Sequence, residues 1–173
     1  MVYPWYETIS FSDNVLQGDF VFDCPIIVPP ETFDGEHDLQ VKVLNTIIMS
    51  QSCDLENDKI AIVLVCPYYN LKDFLEKHPV SKNGGKGVSK VIDNLKKGNF
   101  PGYHILQKEE NYNLIDYIVV DFLNVYGVDF GFLKNHLKDI EYRIRILPPY
   151  REHLSQAFAR YFMRVGLPID IDM

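Results

Sequence analysis

Ser50-Gln51-Ser52-Cys53-Asp54 stands between two mostly apolar runs, 46–49 and 60–65, so five polar or reactive side chains sit where a core strand ends. Read as chemistry, Cys53 is a nucleophile, Asp54 orients a base, and Ser50 or Gln51 stabilises an oxyanion. A thiolate needs a histidine, a cation or a helix N-terminus beside it. The five histidines, at 37, 78, 104, 136 and 153, are scattered, and none neighbours Cys53 in sequence. Two other readings stay open. As a binding rim, the turn frees Gln51 and Asp54 to face a ligand, with Cys53 partly buried and Asp54 within salt-bridge range of an arginine from residues 143–164. As a structural turn, Asp54 caps backbone N–H groups, Ser50 and Gln51 satisfy strand-end carbonyls, and Cys53 packs as a small hydrophobe.

A second set of chemistry-bearing residues lies on the best helix signal in the chain, Tyr150 to Val165, opened by Pro148-Pro149 and closed by Gly166-Leu167-Pro168. Helical spacing places Leu154, Ala157, Phe158, Tyr161, Phe162 and Val165 on one arc, which predicts a core face with Phe158 and Phe162 nearly buried. Beside that arc His153, Gln156, Arg160 and Arg164 form a stripe. Arg160 and Arg164, one turn apart, repel by a few tenths of a kcal/mol unless an anion or carboxylate sits nearby. The stripe is either a solvated shoulder or a contact surface for a phosphate or an acidic partner. Cys24, Cys53 and Cys66 form no C-x-x-C pair and the histidines no H-x-x-x-H pair, so no metal is expected. No cofactor is expected either.

The elements that must position these residues are mainly strands in the first third: Phe20–Val28, Val41–Met49 and Lys59–Cys66, the last two joined as a hairpin or near-hairpin. Residues 71–100 read as a helical insertion or lid. Leu71–His78 and Val88–Lys97 have helical periodicity, and the Gly- and Lys-rich stretch 81–87 between them reads as a flexible, locally basic loop. It is either a solvated surface or a phosphate-contacting lid. Tyr103–Gln107 and Tyr117–Phe122 return to strand character, and Phe130–Leu137 to a short helix. Glu141–Ile146 alternates, predicting a strand with one wet face. The whole, residues 1–173, is expected to form a single α+β domain, mainly β with peripheral helices.

The net charge of −7 disfavours non-specific binding to nucleic acid and suits a protein partner. An odd cysteine count fits a reducing compartment. Nothing near Met1 reads as a signal peptide, and no apolar run approaches the roughly 18 residues of a membrane helix. A cytoplasmic protein without a membrane association is the expectation.

Gly18-Asp19-Phe20-Val21, a long loop, an apolar strand ending in Ser50 and another ending in Cys66-Pro67 together resemble the PemK/MazF toxin family over roughly residues 16–70. The resemblance implies a strongly curved SH3-like β-barrel with peripheral helices, a homodimer, and cleavage of single-stranded RNA. Two departures bear on that activity. The family's catalytic arginine falls at Leu44 and Asn45, and its catalytic threonine or serine falls at Tyr68-Tyr69-Asn70. Neither replacement supplies the guanidinium that stabilises a phosphorane-like transition state. The resemblance therefore implies a diverged binding component of a bacterial toxin–antitoxin or phage-defence system. Its groove would be rebuilt around Ser50, Gln51, Cys53, Asp54, Tyr69, His153, Arg160 and Arg164. The alternative is an endoribonuclease on single-stranded RNA that recruits Arg160, Arg164, His153 or Cys53 as non-standard catalytic residues.

Overall fold

Runs of β-branched and aromatic residues form the strands, and helices with one apolar stripe close over them. A computed structural model describes residues 3–32, 39–138 and 140–163. The strands are β1 (Tyr6–Ser10), β2 (Phe20–Val28), β3 (Gln40–Ile48), β4 (Ile62–Asn70), β5 (Tyr103–Leu106), β6 (Ile118–Asp121), β7 (Tyr126–Asp129) and β8 (Tyr142–Ile146). The helices are α1 (Ser52–Glu56), α2 (Leu71–Lys77), α3 (Gly85–Lys96), α4 (Phe130–Lys138) and α5 (Tyr150–Phe162). The fold is α+β and mainly β.

All strand pairs are antiparallel. The larger sheet runs β2-β3-β4-β6-β5, and β7 also pairs with β4. β4 changes partner along its length: Ile62–Val65 pair with β7, and Tyr68–Asn70 with β6. β1 and β8 form a separate two-stranded sheet, joined to the start of β2 by a bridge between Asp19 and Arg145 and by the bond from Ile146 N–H to Gly18 C=O at 3.1 Å. Among the described residues no sheet closes on itself, and β5 ends the larger sheet with β6 as its one partner.

Strand alternation divides the core. Ile47 and Cys66, paired across β3 and β4, face a cluster with Phe20, Phe122, Ile144 and Leu154, closed by α5. Their neighbours Ile48 and Val65 face the opposite cluster, with Leu133 and Leu137 of α4 and Leu55 of α1. A third cluster seats α2 and α3 on the sheet through Phe74, Val91, Leu95 and Val119.

The structure corrects three expectations. Glu141–Ile146 has no wet face across its interior: Arg143 and Arg145 are 1% and 8% exposed, because both bind the fully buried Asp19 carboxylate. The near-hairpin from β3 to β4 is formed: the two pair antiparallel as consecutive strands, with the helical turn α1 in their connection. Within the expected loop 81–87, Pro79–Asn83 form a 3-10 turn and Gly85 already begins α3. Finally, Leu154 is fully buried and Phe158 half-buried, but Phe162 is 60% exposed, because the rotation of α5 presents Tyr161 rather than Phe162 to the core. Arg164, Val165 and the Gly166-Leu167-Pro168 stop lie outside the described residues.

Candidate functional site

Ser50 to Asp54 is bound into the fold. The Ser50 hydroxyl accepts from Leu64 N–H at 2.8 Å, and the Ser52 hydroxyl accepts from Gln17 N–H at 3.2 Å. The buried Gln17 amide then donates to Met49 C=O at 2.7 Å. The Gln51 carbonyl starts α1 by accepting from Asp54 and Leu55 N–H. Cys53 is exposed, and among the described residues its side chain has one hydrogen-bond contact, Asp54 Oδ1 at 3.7 Å. The expected salt bridge from Asp54 to an arginine is not formed among the described residues. Arg143 and Arg145 turn to Asp19, and Arg151 turns to Glu152. Among the described residues, Ser50, Gln51, Cys53 and Asp54 line none of five surface clefts, although one of these takes in their neighbours Leu55, Glu56 and Asp58.

The helix stripe behaves differently. His153, Gln156 and Arg160 all face one cleft of about 530 Å³, whose opposite wall is Gly98, Phe100, Pro101, Tyr103 and His104. A second cleft of about 340 Å³ continues from it, sharing Gly98, His104 and His153, and reaching Trp5, Lys96, Lys97 and Tyr150. The two form one groove along β5. β5 is an edge strand, so residues of both its faces reach the groove. His104 and Leu106 face α5, whereas Tyr103 and Ile105 face α2 and α3. The C-terminal end of α3 brings Lys96 and Lys97 to the rim, both exposed. Trp5 stacks on Tyr150 with ring centroids 3.6 Å apart and planes 8° from parallel, fixing an aromatic wall at one end.

Among the described residues no carboxylate lines either half of the groove, although the chain carries 24 acidic residues. Lys96, Lys97 and Arg160 therefore set a positive local potential within an acidic protein. The His104 ring lies over Phe122 with centroids 6.3 Å apart. Burial, reinforced by His153 nearby, pushes its pKa down to about 4, so the imidazole is neutral at physiological pH. A neutral ring in a cationic groove can accept a proton or a hydrogen bond without adding charge.

Tyr69 lies elsewhere. It lines a third cleft of about 210 Å³ with Phe74, Lys77, His78, Tyr103 and Asp121, which meets the groove at Tyr103. Of the residues expected to share a site, the structure thus brings together His153 and Arg160, places Tyr69 on the adjoining cleft, and leaves the Ser50–Asp54 turn outside both. Arg164 falls outside the described residues. His104, Trp5, Lys96 and Lys97 carry no signature in the sequence. His104 is a lone histidine in an apolar strand, and the lysines are two among many on an amphipathic helix.

Among the described residues, no group of three or more His, Cys, Asp or Glu side chains is arranged to hold a metal ion, and no helix is long and apolar enough to cross a membrane. No family model matches the chain, and no curated protein matches it.

Proposed function

We propose that this chain is a diverged PemK/MazF-like toxin-fold protein of a bacterial conflict system that binds single-stranded RNA in the groove between β5 and α5. The observation that carries the reading is the lining of that groove: Lys96, Lys97 and Arg160, with no carboxylate among the described residues, together with the rings of Trp5, Tyr150, Phe100 and Tyr103. Cations that track phosphates, interleaved with aromatic faces on which bases stack, are how single strands are held without sequence readout. The family part of the reading is supported by the Gly18-Asp19 start of β2. It is supported also by the division of β4 between β7 and β6, which suits the strongly curved SH3-like barrel that the resemblance implies.

Trp5 is the chain's single tryptophan and lies in the groove, so its emission is the natural probe. Titration with a short uridine-rich RNA should quench it saturably, with affinity falling as salt rises. The same incubations, resolved on a denaturing gel, read cleavage: a product ending in a 2′,3′-cyclic phosphate would make the groove an endoribonuclease centre using His104 and His153. Unchanged emission at low salt would contradict RNA binding.

A second reading has its own support. β5 ends the sheet, so its outer backbone groups lie along the same cationic groove. That geometry suits an acidic, extended segment of a protein partner added as a further strand. An acidic peptide that binds and competes with the RNA would favour this reading.

A further inference from the structure

The third cleft differs from the groove in sign. Its walls are rings: Phe74 meets Tyr103 edge-on with centroids 4.8 Å apart, and Tyr69 stands on the other side. At its base is Asp121, 5% exposed. The two carboxylate oxygens accept from Leu123 N–H and the Asn124 amide, each at 2.8 Å, and both donors are neutral. No cationic side chain pairs with Asp121 among the described residues. A buried carboxylate without a countercharge is costly, so the site gains from an added cation.

The cleft already holds a cation over one wall. Lys77 Nζ lies 5.7 Å from the Tyr69 ring centroid, within the range at which an ammonium is drawn to an aromatic face. Lys77 belongs to α2 and is exposed, so its head group can swing out to solvent. The volume, about 210 Å³, lies below the roughly 300 Å³ at which sites for drug-sized ligands begin, which selects a head group over a whole cofactor. Burial first, and the Asp121 charge second, raise the pKa of both Tyr69 and Tyr103, so their hydroxyls stay protonated and the rings remain neutral walls.

We propose that this cleft is an aromatic cage for an organic ammonium group, with Tyr69, Phe74 and Tyr103 as walls, Asp121 as counter-ion and Lys77 as a displaceable internal occupant. The chemistry is that of a quaternary or primary ammonium, either free or on a lysine side chain of a partner. The cage shares Tyr103 with the groove but does not rest on RNA binding there, and it is tested at Tyr69, Lys77 and Asp121, which line the cleft alone.

The test is calorimetric titration of the full chain with tetramethylammonium chloride against sodium chloride of equal ionic strength. Saturable binding is expected for the organic cation alone. Lys77→Ala should bind it several-fold more tightly, because the internal competitor is gone. Tyr69→Leu should weaken it about tenfold, the scale of losing a desolvated cation–π contact. Asp121→Asn should weaken it at least as much, and if that variant melts early, Tyr69→Leu carries the conclusion alone. A trimethyllysine peptide that binds more tightly than tetramethylammonium would assign the source as a protein partner, and equal affinity would assign a free cation. No heat beyond the sodium control, or wild-type affinity in both Tyr69→Leu and Asp121→Asn, overturns the proposal. Weaker binding by Lys77→Ala overturns the role given to Lys77.

Discussion

Arg145 Nε donates to Asp19 Oδ1 at 2.5 Å, and this fully buried carboxylate ties β8 to the start of β2 across 126 residues of sequence. Arg143 Nε donates to the same carboxylate at 3.4 Å. Two guanidiniums against one carboxylate leave a positive excess, and the loop before β2 answers it with carbonyls. Arg143 reaches Asp13 C=O at 2.8 Å, and Arg145 reaches Asn14 C=O at 2.6 Å. The motif that prompted the family resemblance, Gly18-Asp19, is thus a joint between the two sheets.

Removing the carboxylate strands two buried cations. Asp19→Asn should cost about 3–5 kcal/mol, the scale of breaking a buried ion pair from one side. Urea unfolding followed by circular dichroism reads the loss directly. A cost below about 1 kcal/mol, the scale of an exposed pair, would mean that water reaches the arginines.

That joint also shows where sequence reading stops. Arg143 and Arg145 alternate with apolar neighbours, and alternation predicts a wet face. Their burial depends on Asp19 and on the carbonyls of residues 13 and 14, partners more than 120 positions away that no local pattern reveals. The helices at Leu71–Lys77 and Gly85–Lys96 were legible because helical periodicity is local. β1 and β7 were missed for the opposite reason: five and four residues, with little alternation, are specified by pairing rather than by composition. The stripe His153, Gln156 and Arg160 was visible from spacing on α5, but its opposite wall, His104 and the α3 lysines, meets it only in three dimensions.

His104 makes stability depend on pH. Its folded pKa is depressed to about 4, below the unfolded value near 6.5, so the unfolded chain takes up the proton first. Its contribution is complete above about pH 6.5 and is lost as pH falls towards 4, up to about 3 kcal/mol in all. Thermal melts of wild type and His104→Phe across that window should diverge in slope, with the variant flatter. Parallel slopes would place His104 in water.

α5 is anchored through one face, with Leu154 at its centre. Leu154→Ala should cost about 2–5 kcal/mol, since the side chain is fully buried between the sheets. Phe162→Ala, at 60% exposure, should change stability by no more than about 0.5 kcal/mol. Equal costs measured by chemical denaturation would contradict the observed helix rotation.

Gly87 is a close-packing point on α3. A Cβ there would collide with the Val80 carbonyl oxygen, a backbone atom that cannot swing aside. Gly87→Ala should therefore destabilise despite alanine's better helix propensity, and Gly85→Ala, with open space around it, should not. Paired melting temperatures decide this, and a more stable Gly87→Ala would mean that the 79–83 turn does not rest on α3.

Charge reversal in the groove tests the central claim most directly. A fluorescein-labelled, uridine-rich single strand should bind the wild-type chain, measured by anisotropy at low salt. The exposed pair Lys96→Glu and Lys97→Glu should weaken it at least tenfold, with the melting temperature kept and the salt slope reduced by about 1.4, roughly 0.7 for each phosphate contact removed from a single strand. Binding that is absent in the wild type, or equal in the charge-reversed chain, would contradict an RNA groove between β5 and α5.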